Sequence, residues 1–332
     1  MITVRSLLDD AWYQRYKRIS RLNIRSSIYD VTDRCNLRCK GCFFYSSGEH
    51  EVAREEKSIE RWRGFIDREV ERGVNLAILI GGEPTLCPDR LAAFYERVPT
   101  YCATNGQIKI DRDRFPDMMI GISLWGDPEV ERKLRGKDTF AVSSRNYRGD
   151  PNTYYLLTIS PRQLGRIEPI VRHIEDAGLK VHMQLLSNDE HVDGFSWTED
   201  QLRQARDEMD DLLDRYPRTV ISSHYYHRVL TTRSMLGRRF GWLECPSVTD
   251  DWDDRDPQTK RLIRFKRWAA DLKTTHRCCT SQTRDCSTCM DGAAHMSWVM
   301  VNKRAHMRSA ADFQNWITVY EMFAKLYRFI PW

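Results

Sequence analysis

Strand-like and helix-like runs alternate along residues 25–225, and that rhythm restricts the fold more than any other feature of the chain. Residues 27–32 are apolar and β-rich. Ser58 then caps a stretch in which Ile59, Trp62, Ile66 and Val70 recur at helical spacing before Gly73 stops it. Leu76-Ala77-Ile78-Leu79-Ile80 has the continuous apolar pattern of a strand buried on both faces. Asp89 opens a short helix carrying Leu91, Phe94 and Val98, and further strands are expected over residues 101–104, 118–124, 153–159 and 180–186. Ser160 and Pro161 begin a helix whose face (Leu164, Ile167, Val171, Ile174) runs to Gly178, with Pro169 kinking or restarting it. Thr198 and Gln201 make a capping box for Leu202, Ala205, Met209 and Leu213, and Pro217 ends that helix. Repeated strand–helix units with right-handed crossovers give an α/β fold with a parallel sheet, and about six units fit a partial (β/α)6 barrel. In such a barrel reactive groups gather at the C-terminal ends of the strands.

The loop after the first strand reads Cys35-Asn36-Leu37-Arg38-Cys39-Lys40-Gly41-Cys42, a C-x3-C-x2-C spacing. Three thiolates so close in sequence can ligate three irons of a cubane [4Fe–4S] cluster and leave the fourth iron open to a further ligand. Two other readings stand beside this one. Zinc takes four protein ligands when structural, and no histidine follows before His50. Buried thiols at i, i+4 and i+7 would suit a helix, but Asn36 and Gly41 mark a loop.

With that spacing, and with Gly81-Gly82-Glu83-Pro84 closing the second strand, the chain resembles the radical S-adenosylmethionine (SAM) superfamily. The resemblance implies the partial barrel and a [4Fe–4S] cluster on Cys35, Cys39 and Cys42. It also implies a SAM amino group held by the Gly81, Gly82, Glu83 and Pro84 edge. Asn105 and Ser123, at the third and fourth strand ends, stand where family members contact SAM or substrate. The family often has an aromatic residue before the third cysteine; Gly41 stands here, which moves adenine packing to backbone or to Phe43 and Phe44. Thr158 and Ser160 read as turn or strand polarity sooner than as ribose or carboxylate contacts, and His182 and Gln184 share one face of their strand. The implied chemistry is one-electron cleavage of SAM to methionine and a 5′-deoxyadenosyl radical that abstracts a substrate hydrogen atom. A flavodoxin- or ferredoxin-type electron donor is implied as partner.

Residues 1–24 read as a helical extension with Leu7, Leu8, Trp12 and Tyr16 on one side, covering an end of the core. Residues 25–225 form the barrel, and residues 226–332 a cysteine-rich extension. Half of the ten cysteines lie there: Cys245, Cys278, Cys279, Cys286 and Cys289. Cys286 and Cys289 have C-x2-C spacing, and Cys245 with Cys279 or Cys278 completes four ligands. This is similar to the twitch and SPASM auxiliary-cluster extensions of the superfamily and implies a second [4Fe–4S] cluster, with zinc or structural thiols as the rivals. His224 and His227, three apart in a β-rich setting, face different ways and read as structural. Phe313, Trp316, Ile317, Tyr320, Phe323, Ala324 and Tyr327 make an apolar helical stripe that packs on the barrel or closes its lower end. Cys87 and Cys102 are expected to be buried core thiols.

Composition narrows the partners. The balance of 52 basic and 47 acidic residues gives +5 with no dense Lys/Arg tract, so nucleic acid is not implied; an anionic substrate or an acidic electron donor suffices. No apolar run long enough for a membrane span occurs, and no signal sequence opens the chain. Ten cysteines without one point to reduced, metal-ligating thiols and a cytoplasmic location. The expected substrate is a small polar metabolite. Peptide modification comes next, disfavoured because residues 1–24 leave no room for a peptide-recognition module. A glycyl-radical activase is third, and a non-catalytic metal-binding module is the reading from outside enzymology.

Overall fold

The computed structural model describes residues 3–42, 44, 55–187, 196–241, 244–245, 267–275 and 288–332. A seven-stranded, all-parallel sheet carries the chain. In chain order its strands are β1 (Ser26–Asp30), β2 (Leu76–Ile80), β3 (Thr100–Thr104), β4 (Met119–Leu124), β5 (Thr153–Ile159) and β6 (Lys180–Leu185). They pair consecutively, as strand–helix units with uniform handedness must. The architecture is the α/β class expected.

The seventh strand, Arg267–Trp268, was not readable from sequence. It comes from the C-terminal third and pairs parallel to β1 at Ile28 and Tyr29. Two residues give no periodicity; side chains hold them. Arg267 forms an ion pair with Asp30 at 3.0 Å, both side chains about 1% exposed. The Trp268 indole donates to Glu69 at 3.0 Å and meets Phe65 edge-on. Breaking such a buried pair from one side leaves an uncompensated charge, typically costing about 3–5 kcal/mol.

The outer helices include α1 (Asp10–Ser20), α2 (Ile59–Glu71), α3 (Pro88–Tyr95), α4 (Pro128–Arg135), α5 (Thr139–Tyr147), α6 (Glu168–Asp176), α7 (Glu199–Arg215), α8 (His224–Thr232), α9 (Gly292–Val301) and α10 (Ala310–Leu326). Ser58 caps α2 through the Arg61 amide, and Thr198 with Gln201 boxes α7 as their spacing predicts. The helix expected from Ser160 differs. Residues Pro161–Gln163 make one 3-10 turn, and α6 starts only at Glu168, with Pro169 in its first turn. Proline fits there because the first amides have no intrahelical acceptor, so Pro169 restarts the helix.

α1 and α10 close the lower end of the barrel. Tyr16 packs on Phe313 at 5.4 Å, and Arg15 pairs with Glu321. Tyr327, just past α10, meets Tyr101, and Trp332 meets Tyr154, with Tyr101 and Tyr154 near the N-terminal ends of their strands. The opposite, C-terminal end is left for chemistry.

Candidate functional site

Past their last paired residues β1 and β2 keep running side by side. Val31 donates to Ile80 O, Gly82 to Thr32 O and Glu83 to Arg34 O, each at 2.8 Å. This zipper brings the Gly81–Gly82 backbone against the chain that leads into Cys35. A Cβ on Gly82 would lie 2.1 Å from the Arg34 carbonyl oxygen, and one on Gly81, whose φ is +126°, 2.6 Å from Thr32 O. Only glycine fits so close an approach.

Glu83 is 1% exposed, and both its oxygens are engaged. Oε1 accepts from the Thr85 amide and from the Thr85 and Thr104 hydroxyls; Oε2 accepts from the Asn105 amide at 2.8 Å. The carboxylate thus locks the end of β2 to the end of β3, with Pro84 opening the 3-10 turn that follows. Asn105 then faces the cysteine loop: Nδ2 donates to Asn36 Oδ1 at 2.6 Å and lies 4.0 Å from Cys35 Sγ.

Cys35, Cys39 and Cys42 are all half-exposed. Gly41 has φ +74°, and Cys42 N bonds back to Cys39 O. A side chain at this left-handed position would be strained, which accounts for glycine where the family often has an aromatic residue. Lys40 N donates to Leu134 O at 2.7 Å, pinning the loop to the end of α4.

That contact introduces Arg135, which sequence reasoning missed. Its guanidinium is 4% exposed and donates to the backbone oxygen of Ser123 at the end of β4. It forms a 3.5 Å pair with fully buried Glu131, whose carboxylate also accepts from Thr139 and from the Trp125 amide. Burial raises the Glu131 carboxyl, with Arg135 opposing. Burial likewise pushes the Cys35 and Cys39 thiols up, and the Arg135 charge pulls both down, reaching Cys39 by hydrogen bonding as well. In sequence Arg135 is only a basic residue in a last helical turn, where it would normally serve the helix dipole.

The three cysteines sit on one short loop with the buried Arg135 cation beside it. That donor set fits the open-cornered cubane of the sequence analysis. Of the remaining expected residues, Ser123 is half-buried beside Arg135, while Phe43, Cys279 and Cys286 lie outside the described residues, as does Cys278. Cys289 is buried, and its neighbour Met290 donates to Ser187, just past β6, so this cysteine stands on the same end of the sheet as Cys35. Cys245 is half-exposed; Glu244 beside it accepts from Trp298 of α9. Gln184 donates to Thr158, the Ser160 amide donates to Gln163 Oε1, and His182 bonds the Ile221 carbonyl oxygen at 2.9 Å as a satisfied core residue. Cys87 and Cys102 are buried free thiols.

The histidine pair is a correction. Residues 224–232 form helix α8, not a β-rich segment, so His224 and His227 fall on one face.

A radical SAM superfamily model matches residues 29–121. No curated protein sequence matches the chain. Among solved structures, native anSMEcpe with bound AdoMet superposes with TM-score 0.54 at 14% identity, covering 80% of this chain and 79% of that one. The same protein with AdoMet and the Cp18Cys peptide gives 0.53 at 15%, over 87% and 83%. Streptococcus suis SuiB bound to precursor peptide SuiA gives 0.53 at 13%, over 84% and 68%. The structures speak for the shared fold; the sequence match spans the three cysteines, the Gly81–Pro84 edge and Asn105. Residues 29–121 therefore form a radical SAM superfamily domain.

Proposed function

We propose that Cys35, Cys39 and Cys42 hold the [4Fe–4S] cluster and that SAM lies between this loop and the ends of β2, β3 and β4. The reading places the SAM amino group along the Gly81, Gly82, Glu83 and Pro84 edge, with Asn105 and Ser123 as flanking contacts and Phe43 toward the adenine. When bound, the cluster supplies the electron that splits SAM into methionine and a 5′-deoxyadenosyl radical, which takes a hydrogen atom from substrate. The chain's own part is positional. Gly82 permits the close approach, Glu83 fixes the β2 and β3 ends to each other, and Arg135 places a permanent charge beside the sulfurs. The observation that carries this is the half-exposed cysteine loop held against the Gly81–Gly82 backbone.

For the substrate, the reading is a carbon–hydrogen bond in a polypeptide side chain. Its support is the fold likeness to two peptide-bound structures over 87% and 84% of the chain, well beyond residues 29–121. A small polar metabolite is the second reading, because α1 packs on α10 and leaves the N-terminal segment engaged in the barrel's lower end. Cys245, Cys279, Cys286 and Cys289 are assigned to an auxiliary [4Fe–4S] cluster, supported by the placement of Cys289 beside the end of β6.

Deuterium transfer distinguishes the substrates. Extract from cells grown on deuterated medium is separated into polypeptides and small molecules, and each fraction is given to reduced enzyme with SAM. Deuterium in 5′-deoxyadenosine from the polypeptide fraction is expected; deuterium only from the small-molecule fraction overturns the peptide reading.

A further inference from the structure

Away from the cysteine loop, helices α7 and α8 bring two imidazoles and two carboxylates together. Asp210 and Asp214 lie four apart on α7, and His224 and His227 three apart on α8, so each pair shares a helix face. Both histidines present the same nitrogen to the same oxygen: Nδ1 of His224 is 2.9 Å and Nδ1 of His227 2.7 Å from Asp210 Oδ1. One ligand atom from each of Asp210, His224 and His227 can be chosen so that all lie within 4.8 Å of one another.

The far side of each ring is also held. His227 Nε2 lies 2.5 Å from Ser222 Oγ, and His224 Nε2 lies 3.0 Å from Asp214 Oδ1. Metal-bound histidines characteristically have their second nitrogen fixed by an oxygen, often a carboxylate, which sets the tautomer and orients the ring. His227 is fully buried, so its ring cannot swing away, while the His224 side chain is 54% exposed and leaves an entry path. Ser222 and His224 also line a cavity of about 770 Å³. Ser222, His227 and Asp210 alone have the order of an acyl-transfer relay; His224, aimed at the same carboxylate oxygen, has no part in one.

We propose that Asp210, His224 and His227 form a binding site for a divalent transition metal of the zinc kind, distinct from the cluster and SAM site. Two imidazoles and one carboxylate suit zinc, and a solvent-facing fourth position is open to water. Binding removes the Nδ1 proton of His224, and His227 shifts its proton to Nε2, where Ser222 Oγ accepts it.

The test uses the reconstituted holoenzyme, so that iron already occupies the cysteines, and titrates it with zinc while iron content is monitored. Wild type binds one zinc per chain and melts at a higher temperature with zinc than without. His224→Ala, a change at an exposed position, weakens binding at least about 100-fold and loses the zinc-dependent melting shift. Asp214→Asn weakens binding about 10-fold, the effect typical of an outer partner. Comparable melting of His224→Ala and wild type without zinc shows that the fold is intact. Equal zinc affinity in wild type and His224→Ala, or no zinc binding by wild type, overturns the site.

Discussion

At Gly82 a single methyl group would collide with the Arg34 carbonyl, and at Glu83 one carboxylate serves four donors. The sequence motif marks both positions, but only the structure separates their work. Glycine admits the neighbouring chain, and the glutamate fastens two strand ends. Glu83→Ala leaves the Thr104 hydroxyl and the Asn105 amide buried without their acceptor, at about 1–3 kcal/mol for each group. The variant is therefore expected to melt at a lower temperature even before SAM is added, and to bind SAM more weakly as Asn105 drifts. Unchanged melting with weakened SAM binding would make Glu83 a ligand and not a fastener. Arg135 shows what spacing conceals. Its pairing with Glu131 is an i,i+4 contact, but its reach to Ser123 and Cys39 is set by how α4 folds back over β4, and no local pattern encodes that.

Among the elements, those with strong period or caps were legible: β2 from its apolar run, α2 from Ser58, α7 from its capping box. Those made by tertiary contact were not. The Arg267–Trp268 strand exists because Asp30 and Glu69 receive it, and α8 was obscured by aromatic residues that also favour strands. α9 is apolar nearly all round, so it has no stripe to read; it is buried within the C-terminal third. Within it His295 donates Nδ1–H to Asp291 O and stacks on Phe240 at 4.2 Å. Burial holds His295 and His182 near pH 4, below the ordinary imidazole value. The unfolded chain then takes up protons first, so these groups lower stability as pH falls from about 6.5 to about 4 and have no effect above that window. Each contributes at most about 3 kcal/mol across it. Urea midpoints are expected to fall over that interval, with a shallower fall in His295→Phe. An equal slope in the variant would remove His295 from the account.

For the whole molecule, the sheet sets a division of labour. α1 and α10 seal one end with aromatic contacts, and the other end collects Cys35, Glu83, Asn105, Ser123 and Cys289. The C-terminal third reaches both edges of that sheet, pairing with β1 through Arg267–Trp268 and touching Ser187, just past β6, through Met290. Replacing Cys286 and Cys289 with Ala is expected to remove one cluster's iron and sulfide while the first cluster and SAM cleavage remain. Unchanged iron and sulfide would dismiss the auxiliary cluster. Cysteine spacing alone leaves that proposed ligand set open, because its four thiols are spread over residues 245–289.

The central claim is that three loop cysteines hold a cluster open to SAM, and one measurement addresses it most directly. Anaerobically reconstituted enzyme is reduced with dithionite in the presence of SAM, and 5′-deoxyadenosine is quantified beside a Cys35→Ala, Cys39→Ala, Cys42→Ala variant. Wild type is expected to form 5′-deoxyadenosine and methionine, and the variant none above the enzyme-free control. Equal formation by both, or none by a wild type that carries its iron and sulfide, would contradict the account.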